Sequence, residues 1–379
     1  MSRAGYFNLL FVALFSGCAH FKQELSDRPT VTKVTYGKLL SGESIEQYTL
    51  LADNIKVKVL TYGGIITQIE VPDRNGQWAD VVLGYDNLQD YEGKNRFFGA
   101  LVGRYANRIE NGAARIKDEV YQLTLNRPPH HLHGGKQGFD KRVWKAQTSS
   151  SQGNATLSLS LVSKDQDQGY PGTLLMQVDY SVTNDGQLLV EYVGSTDKPT
   201  ILNPTQHSYF NLSGTKQKTV LKHKLTVHSD KIIELNPESI PTGKLLVVNE
   251  SPFDFRLPRF LEKSIFHPHS QMKIGKGYDH YFINKEERGE VTLFASLYEP
   301  DSGRALDVYT SEVGGQIYTA NYLNPSVIGK AAQPYQPHQG ICIETGQLPN
   351  APAQDNFDTY ILEPDKEFYS KTVFSFYIK

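Results

Sequence analysis

Side chains of alternating polarity on either side of one turn constrain the fold of this chain more than any other feature. The apolar members are Met176, Val178, Tyr180 and Val182 before the turn, and Leu188, Val190 and Tyr192 after it. Between the two sets stands Asn184-Asp-Gly186, which is typical of a tight hairpin turn. Because successive side chains of a strand point to opposite faces, this stretch predicts two antiparallel strands with one buried face.

Strand patterns recur along the rest of the chain. Leu157, Leu159 and Leu161 alternate with serines, and residues 56–60 and 291–297 are weaker examples of the same pattern. No stretch sustains a helical period over three turns. The 22 Tyr and 18 Phe favour pleated surfaces, and the 31 Gly and 19 Pro imply many turns. The sequence therefore predicts an all-β protein, built as one large antiparallel β-sandwich.

The composition and the cysteine count exclude several classes of function. The 379 residues carry a formal net charge of −2, which gives no electrostatic case for binding nucleic acid. No Gly-rich phosphate loop and no Gly-x-Ser-x-Gly elbow is present. Cys18 and Cys342 are the two cysteines, so a zinc site built from cysteines is excluded and an intramolecular disulfide is not expected.

The N-terminus has the layout of a secretory signal. A positive head ending at Arg3 precedes an apolar run over residues 6–15, which is shorter than the roughly 20 residues that a membrane helix needs. Leu14-Phe-Ser-Gly-Cys18 resembles a bacterial lipoprotein cleavage site, at which Cys18 becomes the lipidated first residue. Cleavage after Ala19 and an uncleaved hydrophobic start are the alternatives.

We therefore expect three segments in the chain. Residues 1–18 form a lipoprotein-type signal peptide cut before Cys18, residues 19–34 form a polar tether, and residues 35–379 form one folded domain. Such a protein is exported across the inner membrane of a bacterium. It lies in the periplasm or is anchored to a membrane by a lipid on Cys18, as a monomer or a dimer.

Glu344 interrupts an apolar strand pattern. Ile341 and Ile343 point to one face of that strand, and Cys342 and Glu344 to the other. A buried carboxyl group costs free energy unless it is paired or lines a cleft. Desolvation raises the pKa of such a group and suits it to act as a base near neutral pH, whereas a structural ion pair is the alternative.

His207 stands in Pro204-Thr-Gln-His-Ser-Tyr-Phe-Asn-Leu-Ser-Gly214. It can be a packed core histidine, a metal ligand, or an acid aimed at a substrate. A proton-transfer enzyme that works without a cofactor needs one acid and one base on opposite sides of its substrate. His207 and Glu344 are of the right types.

Three further stretches carry candidate binding residues. In His130-His-Leu-His-Gly-Gly135 the imidazoles invite a metal site, although zinc needs further ligands, and the Gly-Gly pair indicates a close backbone approach. Arg104, Asn107 and Arg108 could bind hydroxyl groups or could be solvated. Asp279 in Gly277-Tyr-Asp-His280 could accept hydrogen bonds from a sugar or could cap a turn.

The order of these motifs resembles that of the aldose 1-epimerases, or galactose mutarotases. The motifs are Gly103-Arg-Tyr-Ala-Asn-Arg-Ile109, His131-Leu-His-Gly-Gly-Lys-Gln-Gly-Phe-Asp140, His207-Ser-Tyr-Phe-Asn-Leu212, Gly277-Tyr-Asp-His280, Gly315-Gln-Ile-Tyr-Thr-Ala-Asn321 and Glu344-Thr345. The resemblance implies the galactose mutarotase-like supersandwich fold, in agreement with the strand alternation. It makes residues 35–379 the catalytic domain.

The resemblance also implies roles for individual residues. His207 is the general acid that protonates the ring oxygen of a pyranose, and Glu344 is the general base that deprotonates the anomeric hydroxyl. The reaction interconverts the α and β anomers of free aldohexoses such as glucose and galactose. The implied substrate-binding residues are Asn107, Arg108, His133, Tyr209, Asp279 and Gln316. The implied partner is a small-molecule sugar, with no cofactor and no metal.

The sequence departs from the family pattern at Gln206, at Gly346-Gln347 and at Asn350, which could alter the wall near Glu344 and so the sugar preference. Tyr209 and Phe210 are expected to form the wall of the cleft. Three alternatives stay open: an epimerase acting on a sugar phosphate or an uncommon sugar, a sugar-binding lipoprotein without activity, and a glycoside hydrolase. The hydrolase would need two carboxylates and would leave His207 without a role.

Overall fold

The computed structural model of the chain describes Met1 and residues 29–93, 96–214 and 219–379. The predicted signal peptide after Met1, the predicted lipidation site Cys18 and residues 19–28 of the predicted tether lie outside the described residues. The described ranges contain two six-residue α-helices, α1 (Leu88–Gly93) and α2 (Ser270–Gly275). No helix in these ranges is long and apolar enough to cross a membrane.

Strands make up most of the regular structure. In the first half of the chain they are β1 (Thr30–Lys38), β2 (Ser44–Ala52), β3 (Ile55–Leu60), β4 (Ile66–Pro72), β5 (Trp78–Asp80), β6 (Ala100–Val102), β7 (Arg108–Ile109), β8 (Ala113–Ile116), β9 (Glu119–Gln122), β10 (His131–Leu132), β11 (Lys145–Ser150), β12 (Asn154–Ser163), β13 (Leu174–Thr183) and β14 (Gln187–Thr196). In the second half they are β15 (Thr200–Ile201), β16 (Thr205–His207), β17 (Lys224–Val227), β18 (Lys231–Leu235), β19 (Pro241–Val247), β20 (Arg259–Phe260), β21 (Asp279–Ile283), β22 (Thr292–Tyr298), β23 (Arg304–Thr310), β24 (Gly314–Tyr318), β25 (Cys342–Thr345), β26 (Ile361–Leu362) and β27 (Phe368–Ile378).

The largest sheet is antiparallel and has the strand order β11-β12-β13-β14-β27-β23-β22-β17-β20. The predicted hairpin is confirmed at its centre, where Val182 lies opposite Leu188 and Tyr180 opposite Val190. Gly186 adopts a φ of 80° in the turn, a backbone conformation that glycine reaches without steric cost. The apolar side chains of this hairpin are buried in the main hydrophobic core.

A second antiparallel sheet, β1-β2-β3-β4-β5, packs on strands β12 and β13 of the first. Val57 and Ile69 from this sheet share one core with Leu157 and Tyr180 from the other. The predicted all-β antiparallel sandwich is therefore confirmed. Strand β1 begins at Thr30 and pairs with β2, so residues 30–34 of the predicted tether belong to this sheet.

A third antiparallel sheet, with the order β19-β18-β21-β24-β25, carries the candidate site. Its back face contributes Ile343 and Ile317 to the main core. The short pairs β6–β16 and β7–β10 lie beside it and bring in loops from the first half of the chain. An isolated pair of backbone hydrogen bonds joins Phe210 to Ile341 and holds the segment after β16 against β25.

Candidate functional site

A cavity of about 440 Å³ opens over the β19-β18-β21-β24-β25 sheet, a volume within the roughly 300–1,000 Å³ that is usual for small-molecule sites. Its lining residues are Arg96, Phe97, Asn107, Arg108, Arg127, Leu132, His133, His207, Tyr209, Asp279, Gln316, Tyr318, Tyr322, Leu323 and Glu344. All the residues predicted to be catalytic or substrate-binding lie among them.

Strand register brings the acidic and amide side chains together. On β24, Gln316 lies directly opposite Glu344 of β25, and Tyr318 lies opposite both Cys342 of β25 and Asp279 of β21. Residues opposite each other in an antiparallel pair, and residues two apart in one strand, project from the same face. One face of the sheet therefore presents these five side chains to the cavity side.

His207 reaches this face from the neighbouring strand β16. Its imidazole is almost fully buried, and its Nε2 lies 3.4 Å from Oε1 of Glu344. Its Nδ1 lies 3.6 Å from the sulfur of Cys342. The two proton-transfer candidates are thus neighbours within one cavity.

Burial moves the pKa values of these two groups in opposite directions. Desolvation penalises the imidazolium and lowers the pKa of His207 to about 4. Desolvation, reinforced by the charge of Asp279 and opposed by that of Arg108, raises the pKa of Glu344 to about 8. Between these values the pair as a whole holds one proton.

His133 contacts the cavity with a defined hydrogen-bonding state. Its Nδ1 accepts the backbone N–H of Asn107 at 3.1 Å, so the proton of the neutral ring sits on Nε2. Burial lowers the pKa of His133 and keeps the ring neutral. Next to it, Gly134 has a φ of 83°, and a Cβ there would lie 1.8 Å from the carbonyl oxygen of Gly103, which confirms the predicted close backbone approach.

This state of His133 bears on the predicted absence of a metal. Ligand atoms of His133, His207 and Glu344 lie within 4.8 Å of one another, which is compact enough to hold an ion. A neutral ring whose Nδ1 accepts an N–H carries its one proton on Nε2 and cannot offer that nitrogen to a metal unless it becomes an imidazolate anion. The two groups that remain fall short of the ligand set that zinc requires.

The predicted hydroxyl-binding residues form a connected group. Arg108 pairs with Asp279 at 3.6 Å, and the amide of Gln316 donates to the same carboxylate at 2.7 Å. The side-chain oxygen of Asn107 accepts the backbone N–H of Arg108 at 2.8 Å. Together these residues supply charged and neutral hydrogen-bonding groups of the kind that sugar hydroxyls need.

Aromatic rings flank the imidazole of His207. The rings of Tyr209 and Phe97 lie nearly parallel to it, with centroid distances of 5.0 and 5.8 Å. The hydroxyl of Tyr209 donates to the backbone oxygen of Arg96 at 2.9 Å, which holds the ring in the wall as predicted. The same prediction for Phe210 is wrong, because its ring packs in the core against Phe374.

Two candidates from the same motifs are structural. Arg104 is buried and donates to backbone oxygens that include those of Ser163 and Gly172, so it does not reach the cavity. His131 is buried between the backbone oxygen of Thr124 and the hydroxyl of Tyr170, each 2.7 Å away. Of the histidines in that motif, His133 is the one that lines the cavity.

The positions that depart from the family pattern do not line the cavity. Gln206 points away from His207 and bonds the backbone of Gly99 and Ser208. Gln347 donates to Glu312, and Asn350 bonds backbone groups of Glu110 and Pro241. The expectation that these positions shape the wall near Glu344 is therefore wrong for the described residues.

Several residues of the site were not predicted from the sequence. Tyr318 follows Gln316 by two positions on one strand, so a period-two argument could have found it. Arg96, Phe97, Arg127 and Tyr322 lie outside strands, where the sequence pattern does not indicate which side chains converge.

The neighbouring imidazole and carboxyl group suit proton transfer, and the hydrogen-bonding groups beside them suit a substrate rich in hydroxyl groups, which together point to a proton-transfer enzyme acting on a sugar. The sequence profile of the aldose 1-epimerase family matches residues 46–375. The chain belongs to this family of isomerases, which interconvert the anomers of aldoses.

Similar proteins support this assignment. The galactose mutarotase of Sus scrofa is 38% identical over 92% of this chain and 98% of its own length. The aldose 1-epimerase of Escherichia coli is 32% identical over 84% of this chain and 91% of its own. The crystal structure of galactose 1-epimerase from Lactobacillus acidophilus superposes with a TM-score of 0.81, at 26% identity, over 92% of this chain and 99% of that one.

Proposed function

We propose that this protein interconverts the α and β anomers of free aldohexoses such as glucose and galactose, with His207 as general acid and Glu344 as general base. The observation that carries the proposal is the separation of 3.4 Å between Nε2 of His207 and Oε1 of Glu344 in one buried cavity. The ring oxygen and the anomeric hydroxyl are bonded to the same carbon, so an acid and a base that are neighbours, and not on opposite sides of the substrate as expected, can act on both.

The reaction is a pair of proton transfers around one broken bond. The carboxylate of Glu344 takes the proton from the anomeric hydroxyl while the imidazolium of His207 gives a proton to the ring oxygen, and the C1–O5 bond breaks. The open aldehyde rotates about C1–C2. Ring closure on the other face returns both protons, so no proton is gained or lost. His133 lines the same cavity with its proton on Nε2, and in this proposal it donates a hydrogen bond near the ring oxygen.

The active arrangement needs the shared proton on His207. Burial favours the form in which Glu344 holds this proton, and Arg108 opposes that preference by lowering the pKa of the carboxyl group. When the charged form is populated, the imidazolium is a stronger acid than an ordinary histidine and the carboxylate a stronger base than an ordinary glutamate. Desolvation has lowered the pKa of the first and raised the pKa of the second.

Substitution of either proton-transfer group tests the proposal. Polarimetry on freshly dissolved α-glucose and α-galactose should show acceleration by the wild-type protein. Glu344→Gln and His207→Asn should each lower kcat by at least about 10²-fold, the usual contribution of a positioned acid or base. Glu290→Gln and His267→Asn, two exposed positions outside the cavity, should leave the rate unchanged.

Two outcomes would contradict this assignment. Near-wild-type rates in Glu344→Gln or His207→Asn would rule out the acid and base roles proposed for these residues. Calorimetric binding of hexoses without any acceleration by the folded wild-type protein would favour the alternative of a sugar-binding protein without activity.

The pH dependence of kcat/KM follows from the shared proton. Above about pH 8 the pair loses its proton, so His207 cannot act as an acid, and below about pH 4 it gains a second one, so Glu344 cannot act as a base. We expect a broad plateau between these limits and a fall on both sides, measured by polarimetry against buffer blanks. A single limb, or a maximum confined to a narrow range near pH 6, would contradict this account.

We propose, as a second candidate, that the preferred sugar carries an anionic group. Arg96 and Arg127 line the exposed rim of the cavity and form no ion pair with any described residue. The charge of Arg108 is already matched by Asp279. Because the raised pKa of Glu344 keeps this carboxyl group uncharged near neutral pH, positive charge predominates in the cavity.

The backbone of Arg96 lies on the His207 side of the cavity. Its carbonyl oxygen accepts the hydroxyl of Tyr209, whose ring stacks on the His207 imidazole. Because His207 addresses the ring oxygen, the carbon that carries C6 is attached on that side. A carboxylate of a hexuronic acid or a phosphate of a hexose 6-phosphate would then come within reach of Arg96.

Kinetics with three sugars distinguishes these substrates. Galactose, galacturonate and galactose 6-phosphate should be compared in wild type, Arg96→Gln, Arg127→Gln and the control Arg115→Gln, an exposed arginine outside the cavity. A charge-assisted contact is worth about 1.5–3 kcal/mol, so loss of Arg96 should lower kcat/KM for the preferred anion by about tenfold or more, with little effect on galactose. Equal values for all three sugars in every variant would refute the anionic preference.

We propose, finally, that the protein is exported and anchored through Cys18. The support is the signal-like sequence of residues 3–19 and the short distance in sequence between Cys18 and the first strand at Thr30. Mass spectrometry of full-length protein expressed in a Gram-negative host should find an acylated N-terminal Cys18, and Cys18→Ala should abolish the lipid mass. An N-terminus that retains Met1 would contradict export.

A further inference from the structure

One strand contacts both nitrogens of the His207 ring. Cys342 and Glu344 are two residues apart on β25 and project from the same face. The sulfur of Cys342 lies 3.6 Å from Nδ1, and Oε1 of Glu344 lies 3.4 Å from Nε2. The imidazole is therefore held at one end by the general base and at the other by a thiol with no exposed surface.

We propose that Cys342 is a positioning residue for the general acid, and that its sulfur accepts the Nδ1–H of His207 so that Nε2 alone exchanges its proton with the substrate. This inference rests on the proposed function of His207. The mechanism moves a proton on and off Nε2, so the neutral ring that forms in each half-reaction must keep its proton on Nδ1. A group that accepts a hydrogen bond at Nδ1 favours that tautomer.

The other groups around the ring do not supply such an acceptor from a side chain. Glu344 faces Nε2, His133 offers the protonated Nε2 of its own ring, and the hydroxyl of Tyr209 donates to the backbone oxygen of Arg96. The ring of Phe97 has no acceptor atom of this kind. Apart from these side chains, the ring has a hydrogen bond with the main chain of His207 itself, which favours the protonated imidazole.

Sulfur has a specific consequence at this position. Burial, with the nearby carboxyl groups of Glu344 and Asp279, raises the pKa of Cys342, so the residue stays an uncharged thiol. A neutral sulfur is a weak acceptor and stabilises an imidazolium much less than a carboxylate does. The contact can therefore select the tautomer of His207 while leaving the protonated ring a strong acid.

Two substitutions separate positioning from packing. Cys342→Ala removes the acceptor, and Cys342→Ser replaces it with a stronger one of similar size. We expect Cys342→Ala to lower kcat for mutarotation by about tenfold with KM within about twofold, and Cys342→Ser to restore kcat to within about threefold of wild type. The acidic limb of kcat/KM should move to lower pH in Cys342→Ala and to higher pH in Cys342→Ser.

A spectroscopic measurement tests the tautomer without relying on turnover. ¹⁵N shifts of the His207 ring in full-length protein should show a protonated Nδ1 in wild type and Cys342→Ser, and a mixture of tautomers in Cys342→Ala. Ile343→Val, on the opposite face of the same strand, controls for a general disturbance of β25, and melting temperatures confirm folding.

These experiments distinguish failure of the role proposed for Cys342 from failure of the proposed function. An unchanged tautomer in Cys342→Ala would overturn the inference, and so would a Cys342→Ser variant as impaired as Cys342→Ala with the tautomer of wild type. If even the wild-type protein accelerates no sugar, the proposed function fails. The inference about catalysis then fails with it, whereas the ¹⁵N shifts still report whether the thiol sets the tautomer.

Discussion

The antiparallel register of β21, β24 and β25 is the constraint on which the site depends. It sets Glu344 directly opposite Gln316. It also sets Tyr318 between Cys342 on one neighbouring strand and Asp279 on the other. A slip of one residue would turn Glu344 into the core and bring an isoleucine into the cavity. Because Ile343 is almost fully buried on the back face, such a slip would put an apolar side chain among the polar groups of the cavity and a carboxyl group into the apolar core. Hydrophobic packing behind the sheet thus fixes the geometry of proton transfer in front of it.

Burial then determines how the two proton-transfer groups behave. The same loss of solvent lowers the pKa of His207 and raises that of Glu344, so the neutral forms of both groups are favoured. This preference reduces the population of the charged pair, but it makes each charged group more reactive when it forms. Arg108 moderates the effect on Glu344, and Asp279 reinforces it. The ion pair of Arg108 with Asp279 therefore belongs to the electrostatics of the base as well as to hydroxyl binding.

Sequence reasoning succeeded where the information is local. Period-two alternation located the β13–β14 hairpin, and a glutamate inside an apolar strand indicated a side chain that lines a cleft. Local patterns could not separate His133 from His131, although the family resemblance did, because their difference arises from contacts distant in the chain: His131 bonds Tyr170, whereas His133 faces Asn107. The contrast between Arg104 and Arg108 has the same origin. Loop residues such as Arg96 and Tyr322 carry no periodic pattern, so their convergence on the cavity follows only from the tertiary structure.

The positions expected to differ from the family pattern belong to the scaffold around the site and not to the lining of the cavity. Asn350 forms hydrogen bonds with backbone groups of Glu110 and Pro241, and Gln347 donates to the buried carboxyl group of Glu312. These two residues could therefore affect sugar binding only indirectly, by shifting the backbone that supports the site. The residues at the rim, by contrast, come from loops, and their side chains are not constrained by strand register. A substitution of Arg96 would alter the charge at the mouth of the cavity and would leave His207 and Glu344 in place on their strands. Selection of the sugar can therefore change at the rim while the sheet preserves the chemistry at C1.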